Sequence, residues 1–200
     1  YTSACRKALL EILEKQECYL IYPALYEGQE MHPNIFYAGE VTHQQIYPTL
    51  HYIMDNFGPK LHLIGNDYIY PRATNKEIKR YWKLLGGEIT GEDYVSFGHA
   101  NFEEIFNKSI LQQSDAIFST LVGESLVPFY RTFKRLGLSA TTLPIFSATT
   151  KETEIKEIGH NYAEGHYSCG GYFQSIELPE NQRFVAKFKQ AFKDEIVISS

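Results

Sequence analysis

Nothing in these 200 residues stays apolar for the roughly 18 positions that a membrane-crossing helix needs. Cysteine is scarce. Cys5, Cys18 and Cys169 show neither metal-ligand spacing nor a disulfide framework. Cys5 and Cys18 fall on a predicted helix and strand, where a small buried thiol is the expected role. A basic surplus is also missing: 19 Lys and Arg stand against 24 Asp and Glu, a net charge of −5. The cations are scattered and form no stripe of the kind that a nucleic-acid surface requires, so nucleic acid is excluded as a partner. Catalytic signatures are absent as well. The seven histidines contain no His-x-x-x-His and no His-Glu-x-x-His, so no zinc helix is written here. There is no Gly-x-Ser-x-Gly elbow, no Walker loop and no strand followed by Gly-x-Gly-x-x-Gly. Gly123-Glu124-Ser125 looks like a nucleophile turn, but no histidine has a context that would make it the base. An enzyme is not expected, and neither is a metal or other cofactor.

What is present is an ordinary folding composition, 44% hydrophobic and 22% charged, enough for a sizeable core. Strand-like and helix-like stretches alternate along the whole chain. Ala8, Leu9, Ile12 and Leu13 fall at helical spacing in 4–16, with Ser3 as the expected N-cap. Strands follow at 18–22 and 34–37, then a helix over 43–57 stopped by Gly58. A strand at 60–65 leads to a helix over 72–85 that closes at Gly86-Gly87, and 88–95 reads as the next strand. Asn101 and Glu104 suggest a capping box for a helix reaching about Gln113. Strands at 115–119, 143–146 and 165–169 alternate with helices over 125–136, up to Ile158 and 181–192. Such alternation predicts an α/β fold with largely parallel sheets flanked by helices.

The segments after the strands are rich in hydroxyls and poor in Lys and Arg. Pro23-Ala24-Leu25-Tyr26 follows the first strand, and Tyr68 and Tyr70 follow 60–65. Thr120 follows 115–119, and Ser147, Thr149 and Thr150 follow 143–146. A parallel sheet gathers these carboxyl ends along one edge, where α/β folds hold ligands. The chemistry suits a small, neutral, hydrogen-bonding molecule better than a phosphate. The plainer alternative is that many of these Ser and Thr residues cap helices and that one or both tyrosines only pack.

Several motifs stand in order along the chain. They are Tyr1-Thr2-Ser3 before Arg6-Lys7, Tyr22-Pro23-x-x-Tyr26-Glu27-Gly28, Asp67-Tyr68-Ile69-Tyr70-Pro71-Arg72, Phe118-Ser119-Thr120 and Tyr172-Phe173. Together they resemble the type I periplasmic binding proteins for urea and short amides. That family includes the solute receptors of urea ABC transporters and an amide-sensing regulator of amidase operons. The resemblance implies two lobes closing on a ligand, no cofactor and an ABC permease as partner, and it admits a homodimer. It implies a periplasmic or extracellular membrane-associated location for a receptor, and a cytoplasmic one for a regulator.

The same resemblance divides the chain into the end of a first lobe (1–40), a second lobe (41–170) and a return crossover (171–200). Family members extend further at both ends, so an internal segment of a longer protein is expected. The opening Tyr1 without Met and the close at Ile196-Val197-Ile198-Ser199-Ser200 agree with that expectation. Carried over residue by residue, Tyr1 and Ser3 match the motif that grips the amide, and Tyr22 the next aromatic contact. Tyr68 and Tyr70 match the tyrosines that close over the ligand, and Thr149 and Thr150 lie near a later contact. Thr120 completes the candidate ligand set. Ala24 stands where the amide sensor has threonine, which is nearer the urea receptors, as are Phe97-Gly98-His99 and Val127-Pro128-Phe129-Tyr130. Cys169-Gly170-Gly171 departs from the aromatic residue that the urea group carries before its Asn-Tyr-Phe. A branched-chain amino acid is the further alternative. Its ammonium would need a carboxylate such as Glu27, Asp67 or Glu124.

Overall fold

The computed structural model describes residues 2–111, 113–193 and 196–197. Its larger unit is a five-stranded parallel sheet in the order β4-β3-β5-β6-β7. The strands are β3 (Lys60–Asn66), β4 (Glu88–Val95), β5 (Ala116–Thr120), β6 (Ile145–Ser147) and β7 (Tyr167–Ser168). The connecting helices are α3 (Ile69–Leu84), α4 (Glu103–Leu111), α5 (Leu126–Arg135), α6 (Glu152–Ile158) and α7 (His160–Ala163), with α2 (Thr42–Asn56) leading in.

The strand sequences explain why helices cover both faces. Leu61 and Leu63 of β3, and Ala116 and Phe118 of β5, pack with Ile46, Leu50, Ile53, Ile78 and Trp82. Their neighbours Ile64 and Ile117 point the other way, into a core with Phe102, Phe106, Phe129, Phe133 and Ile145. Period-two alternation with apolar residues on both sides is what a buried parallel strand requires. Gly87 serves this core: a Cβ there would lie 2.2 Å from the indole nitrogen of Trp82. That nitrogen donates to Pro59 O (2.9 Å) and Glu88 O (3.2 Å), so the buried indole keeps its hydrogen bond.

The smaller unit holds α1 (Ser3–Lys15) and a two-stranded parallel sheet of β1 (Leu20–Tyr22) and β2 (Ile35–Tyr37). Among the described residues its buried core is Leu13, Tyr22, Tyr26 and Ile35, with partly buried neighbours such as Leu9, Leu20 and Val41 packed against it. One crossover joins the two units, and a second segment runs beside it. Residues 38–41 lead from β2 to α2, and 169–171 leave β7 towards α8 (Pro179–Phe192). The Gly171 N–H donates to Glu40 Oε1 at 2.6 Å, and Gln45 Nε2 donates to Ala148 O (3.0 Å) and Cys169 O (3.1 Å).

The α/β architecture and each predicted strand and helix are found, with shifted ends and two additional short helices, α7 and a 3₁₀ turn at Gly123–Ser125. Thr2, not Ser3, is the N-cap of α1: its backbone is extended and its hydroxyl accepts from the Cys5 N–H. Helix α3 begins at Ile69 rather than 72, because a proline lacking its N–H is tolerated anywhere in the first turn. Helix α4 begins at Glu103, one residue later than an Asn101 cap requires. Cys5 and Cys18 are exposed, not buried. Cys5 lies on the solvent side of α1, and Cys18 precedes the strand it was expected to occupy. No helix among the described residues is long and apolar enough to cross a membrane.

Candidate ligand cleft between the two units

Strand ends and one helix start meet in a cleft of about 280 Å³. The smaller unit contributes Thr2 and Ser3 from the start of α1, and Tyr22, Ala24 and Leu25 from the end of β1. The larger unit contributes Tyr68 and Tyr70 after β3, Phe97 after β4, Val122 after β5 and Thr149 after β6. No charged side chain is among these residues. The first turn of α1 borders the cleft, and the opening N–H groups of a helix have no partner within it.

The two tyrosines are placed by the turn from β3 into α3. Tyr68 is the extended N-cap, and Tyr70 lies in the first helical turn. Their ring centroids are 6.2 Å apart, and the Tyr68 ring also packs on Phe97 at 5.0 Å. The Tyr70 hydroxyl is buried near Thr74 and makes no hydrogen bond of normal geometry among the described residues. Burial pushes the Tyr68 phenol up to about 12 and drives Tyr70 well above its ordinary value. Both therefore remain protonated near neutral pH and can donate.

Opposite them, the smaller unit is braced by a buried charge cluster. The Ser3 hydroxyl donates to Glu27 Oε2 at 2.6 Å, and Arg6 donates to Glu27 Oε1 at 2.7 Å and Glu30 Oε1 at 2.8 Å. The Arg6 guanidinium lies 4.8 Å from the Tyr22 ring centroid and 5.0 Å from that of Tyr26. Burial opposes the Arg6 charge, but Glu30 and Glu27 outweigh it and raise its pKa above the ordinary value.

Six of the nine candidate ligand residues thus come together: Ser3, Tyr22, Ala24, Tyr68, Tyr70 and Thr149. Tyr1 lies outside the described residues. Thr120 and Thr150 are buried away from the cleft lining. Thr120 fills the space that a Cβ on Gly65 would take and donates to Ile64 O at 3.2 Å. Thr150 donates to Ser147 Oγ at 2.8 Å. Neither threonine at 149–150 caps α6; that role falls to Lys151, whose N–H donates to Glu154 Oε2 at 2.9 Å. The carboxylates considered for an ammonium are elsewhere: Glu27 is committed to Ser3 and Arg6, Asp67 pairs with Arg72 at 2.6 Å, and Glu124 is exposed. Thr2, Leu25, Phe97 and Val122 are additional lining residues. Phe97 was findable, since it follows a strand as directly as Tyr68 does. Leu25 and Val122 carry no polar group to mark them.

The fold is thus a two-stranded and a five-stranded parallel α/β unit whose strand ends face a cleft lined, among the described residues, by no charged side chain. The match to the periplasmic binding protein domain family covers residues 1–200, and the chain belongs to that family. A Rhodopseudomonas palustris ABC-transporter solute-binding protein in complex with 4-hydroxybenzoate is 20% identical with a TM-score of 0.82, over 92% of this chain and 51% of that one. A branched-chain amino acid ABC transporter protein from Thermus thermophilus with bound valine is 18% identical with a TM-score of 0.80, over 96% and 51%. The chain therefore spans about half the length of these solved structures. A 43-residue stretch is also 51% identical to limonene hydroxylase of Geobacillus stearothermophilus, covering 22% of this chain and 8% of that protein.

Proposed function

We propose that this chain is part of a non-catalytic ABC-transporter solute receptor whose two lobes close on urea or a short aliphatic amide outside the cytoplasmic membrane. The observation that carries the reading is an uncharged cleft lined by tyrosine and threonine hydroxyls, with the buried Tyr70 hydroxyl in no hydrogen bond of normal geometry among the described residues. A buried phenol without an acceptor is costly, and a ligand carbonyl would supply that acceptor. Closure would bring Ser3, Tyr22 and Ala24 against Tyr68, Tyr70 and Thr149, with the lobes meeting near residues 40 and 171. Tyr1 belongs to the same proposed set. Thr120 and Thr150 would support the wall from behind.

The amide-sensing regulator would use the same cleft to control a partner protein. An amino acid is the remaining alternative, since the Thermus thermophilus relative holds valine. Its ammonium would have to recruit Glu27 away from Arg6, at the expense of a buried ion pair. An enzymatic role is not proposed: the Ser3 hydroxyl in the cleft donates to Glu27, but that carboxylate is already paired with Arg6. The short likeness to limonene hydroxylase is too brief to carry an activity.

Calorimetric titration of the full-length protein with urea, acetamide and leucine tests the reading. Binding of urea or acetamide, weakened about tenfold or more by Tyr70→Phe with the melting temperature held, is the expected result. Leucine binding alone would overturn the neutral-ligand reading.

A further inference from the structure

The cleft wall of the larger unit is assembled from the ends of several strands, and three of its loops meet at one side chain. Asn66 is the last residue of β3 and is wholly buried. Its Nδ2 donates to Ser96 O and to Ser125 Oγ, both at 3.1 Å. Its Oδ1 accepts from the Val122 N–H at 2.8 Å. Ser96 directly precedes Phe97, Val122 itself lines the cleft, and Asn66 is two residues before Tyr68.

Sheet ladders do not fix these loops. The β3–β5 pairing ends at Gly65–Thr120 and the β3–β4 pairing at Asn66–Val95. Beyond those points one backbone bond remains, from the Asp67 N–H to Val95 O at 2.8 Å, and the carboxamide ties the loops after β3, β4 and β5 together. Thr149 extends the tie to β6 by donating to Leu121 O at 2.5 Å. A primary amide at this reach supplies two donors and an acceptor in one plane. Ionised aspartate keeps only acceptors, and leucine has neither.

We propose that Asn66 is a positioning residue for the cleft: it sets the spacing of Tyr68, Phe97 and Val122, and through them ligand affinity, without touching the ligand. The affinity part rests on the cleft being the ligand site; the wall-setting part does not.

Two measurements on Asn66→Asp test it, with Ser125→Ala as a milder variant that removes one of the bonds. Amide hydrogen exchange of the ligand-free protein is expected to rise at least tenfold together at 67–70, 96–99 and 121–125, with β3 and β5 interiors unchanged. Faster exchange only beside residue 66, or uniformly through the unit, would overturn the proposal. Titration with acetamide and urea is expected to show at least tenfold weaker binding for Asn66→Asp. Ile53→Val, a core change remote from the cleft, should leave the affinity unaltered. The loss should also be less than additive with Tyr68→Phe, because Asn66 acts through that wall. Loosened loops with full affinity, or full additivity, would overturn the affinity role. If the wild type binds neither probe, the neutral-ligand reading fails, and the exchange pattern alone decides the wall-setting role. An Asn66→Asp protein that does not fold transfers both readouts to Ser125→Ala, where a smaller shift of the same pattern is expected and its absence overturns the proposal.

Discussion

The two units solve the problem of stability differently. The larger unit buries two apolar clusters, one on each face of its sheet, that enclose Trp82 and five phenylalanines from Phe102 to Phe133, although Tyr52, Leu84 and Phe97 remain exposed. The smaller unit encloses four hydrophobic residues and leaves Ile12, Tyr19, Ile21 and Phe36 exposed. What organises it is a charge cluster, with Arg6 held between two carboxylates and two aromatic rings. Apolar packing is non-directional and grows with area, whereas a buried ion pair is specific but fragile when one partner is removed. The cleft lies where these two kinds of construction face each other.

The largest effect is expected from Arg6→Met, in the smaller unit. Removing the guanidinium leaves Glu27 and Glu30 without their cation, a loss on the order of 3–5 kcal/mol. Protection of amides at 20–37 should collapse while the emission of Trp82, the sole tryptophan and a residue of the larger unit, stays native. Loss of both signals together would show that the units fold as one. Phe118→Ala is the converse, costing about 3–5 kcal/mol in the larger core. Denaturant unfolding followed by Trp82 should move strongly, with the smaller unit affected only through its contacts.

Acid should separate the units by window. Burial depresses His62 below 6.5 despite Asp93, and burial lowers His166 to about 4. A depressed folded pKa means that the unfolded chain takes up the proton first. The stabilisation is full above about 6.5 and is lost as pH falls towards 4, by roughly 2–3 kcal/mol for His166. Burial opposes the charge of Glu30, but bonds from Arg6 and Tyr37 hold its pKa below 4.5. Its contribution is therefore present above about 4.5 and disappears only below that. Thermal melts by Trp82 emission should fall between pH 6.5 and 4, before the smaller unit responds. The reverse order would contradict this assignment. The smallest effect is expected at the exposed Arg183–Glu180 pair, where Arg183→Ala should change stability by no more than about 0.5 kcal/mol.

Much of this was legible along the chain. Period-two apolar strands such as Leu61–Ile64, alternating with helical stretches ended by Gly58 and Gly137, specify a parallel α/β sheet by local chemistry alone. The same logic placed Tyr68, Tyr70 and Thr149 at strand ends, and a parallel sheet then carries them to one edge. Thr120 looked equivalent, yet it faces Gly65, because the direction of a hydroxyl depends on which neighbour leaves room for it. Cys5 and Cys18 were misjudged because burial depends on what packs over an element, which the element's own residues do not state.

The sequence by itself determined the architecture and the uncharged, hydroxyl-rich character of the edge, since both follow from residue type and spacing within single segments. Only the tertiary structure decided that Arg6 is sealed between Glu27 and Glu30, that Phe97 and Val122 join the cleft, and that Asn66 ties three loops. The hydrogen bonds of Arg6 and Asn66 alone link residues from 21 to 59 positions apart, and no local pattern encodes the distance at which a folded chain closes on itself.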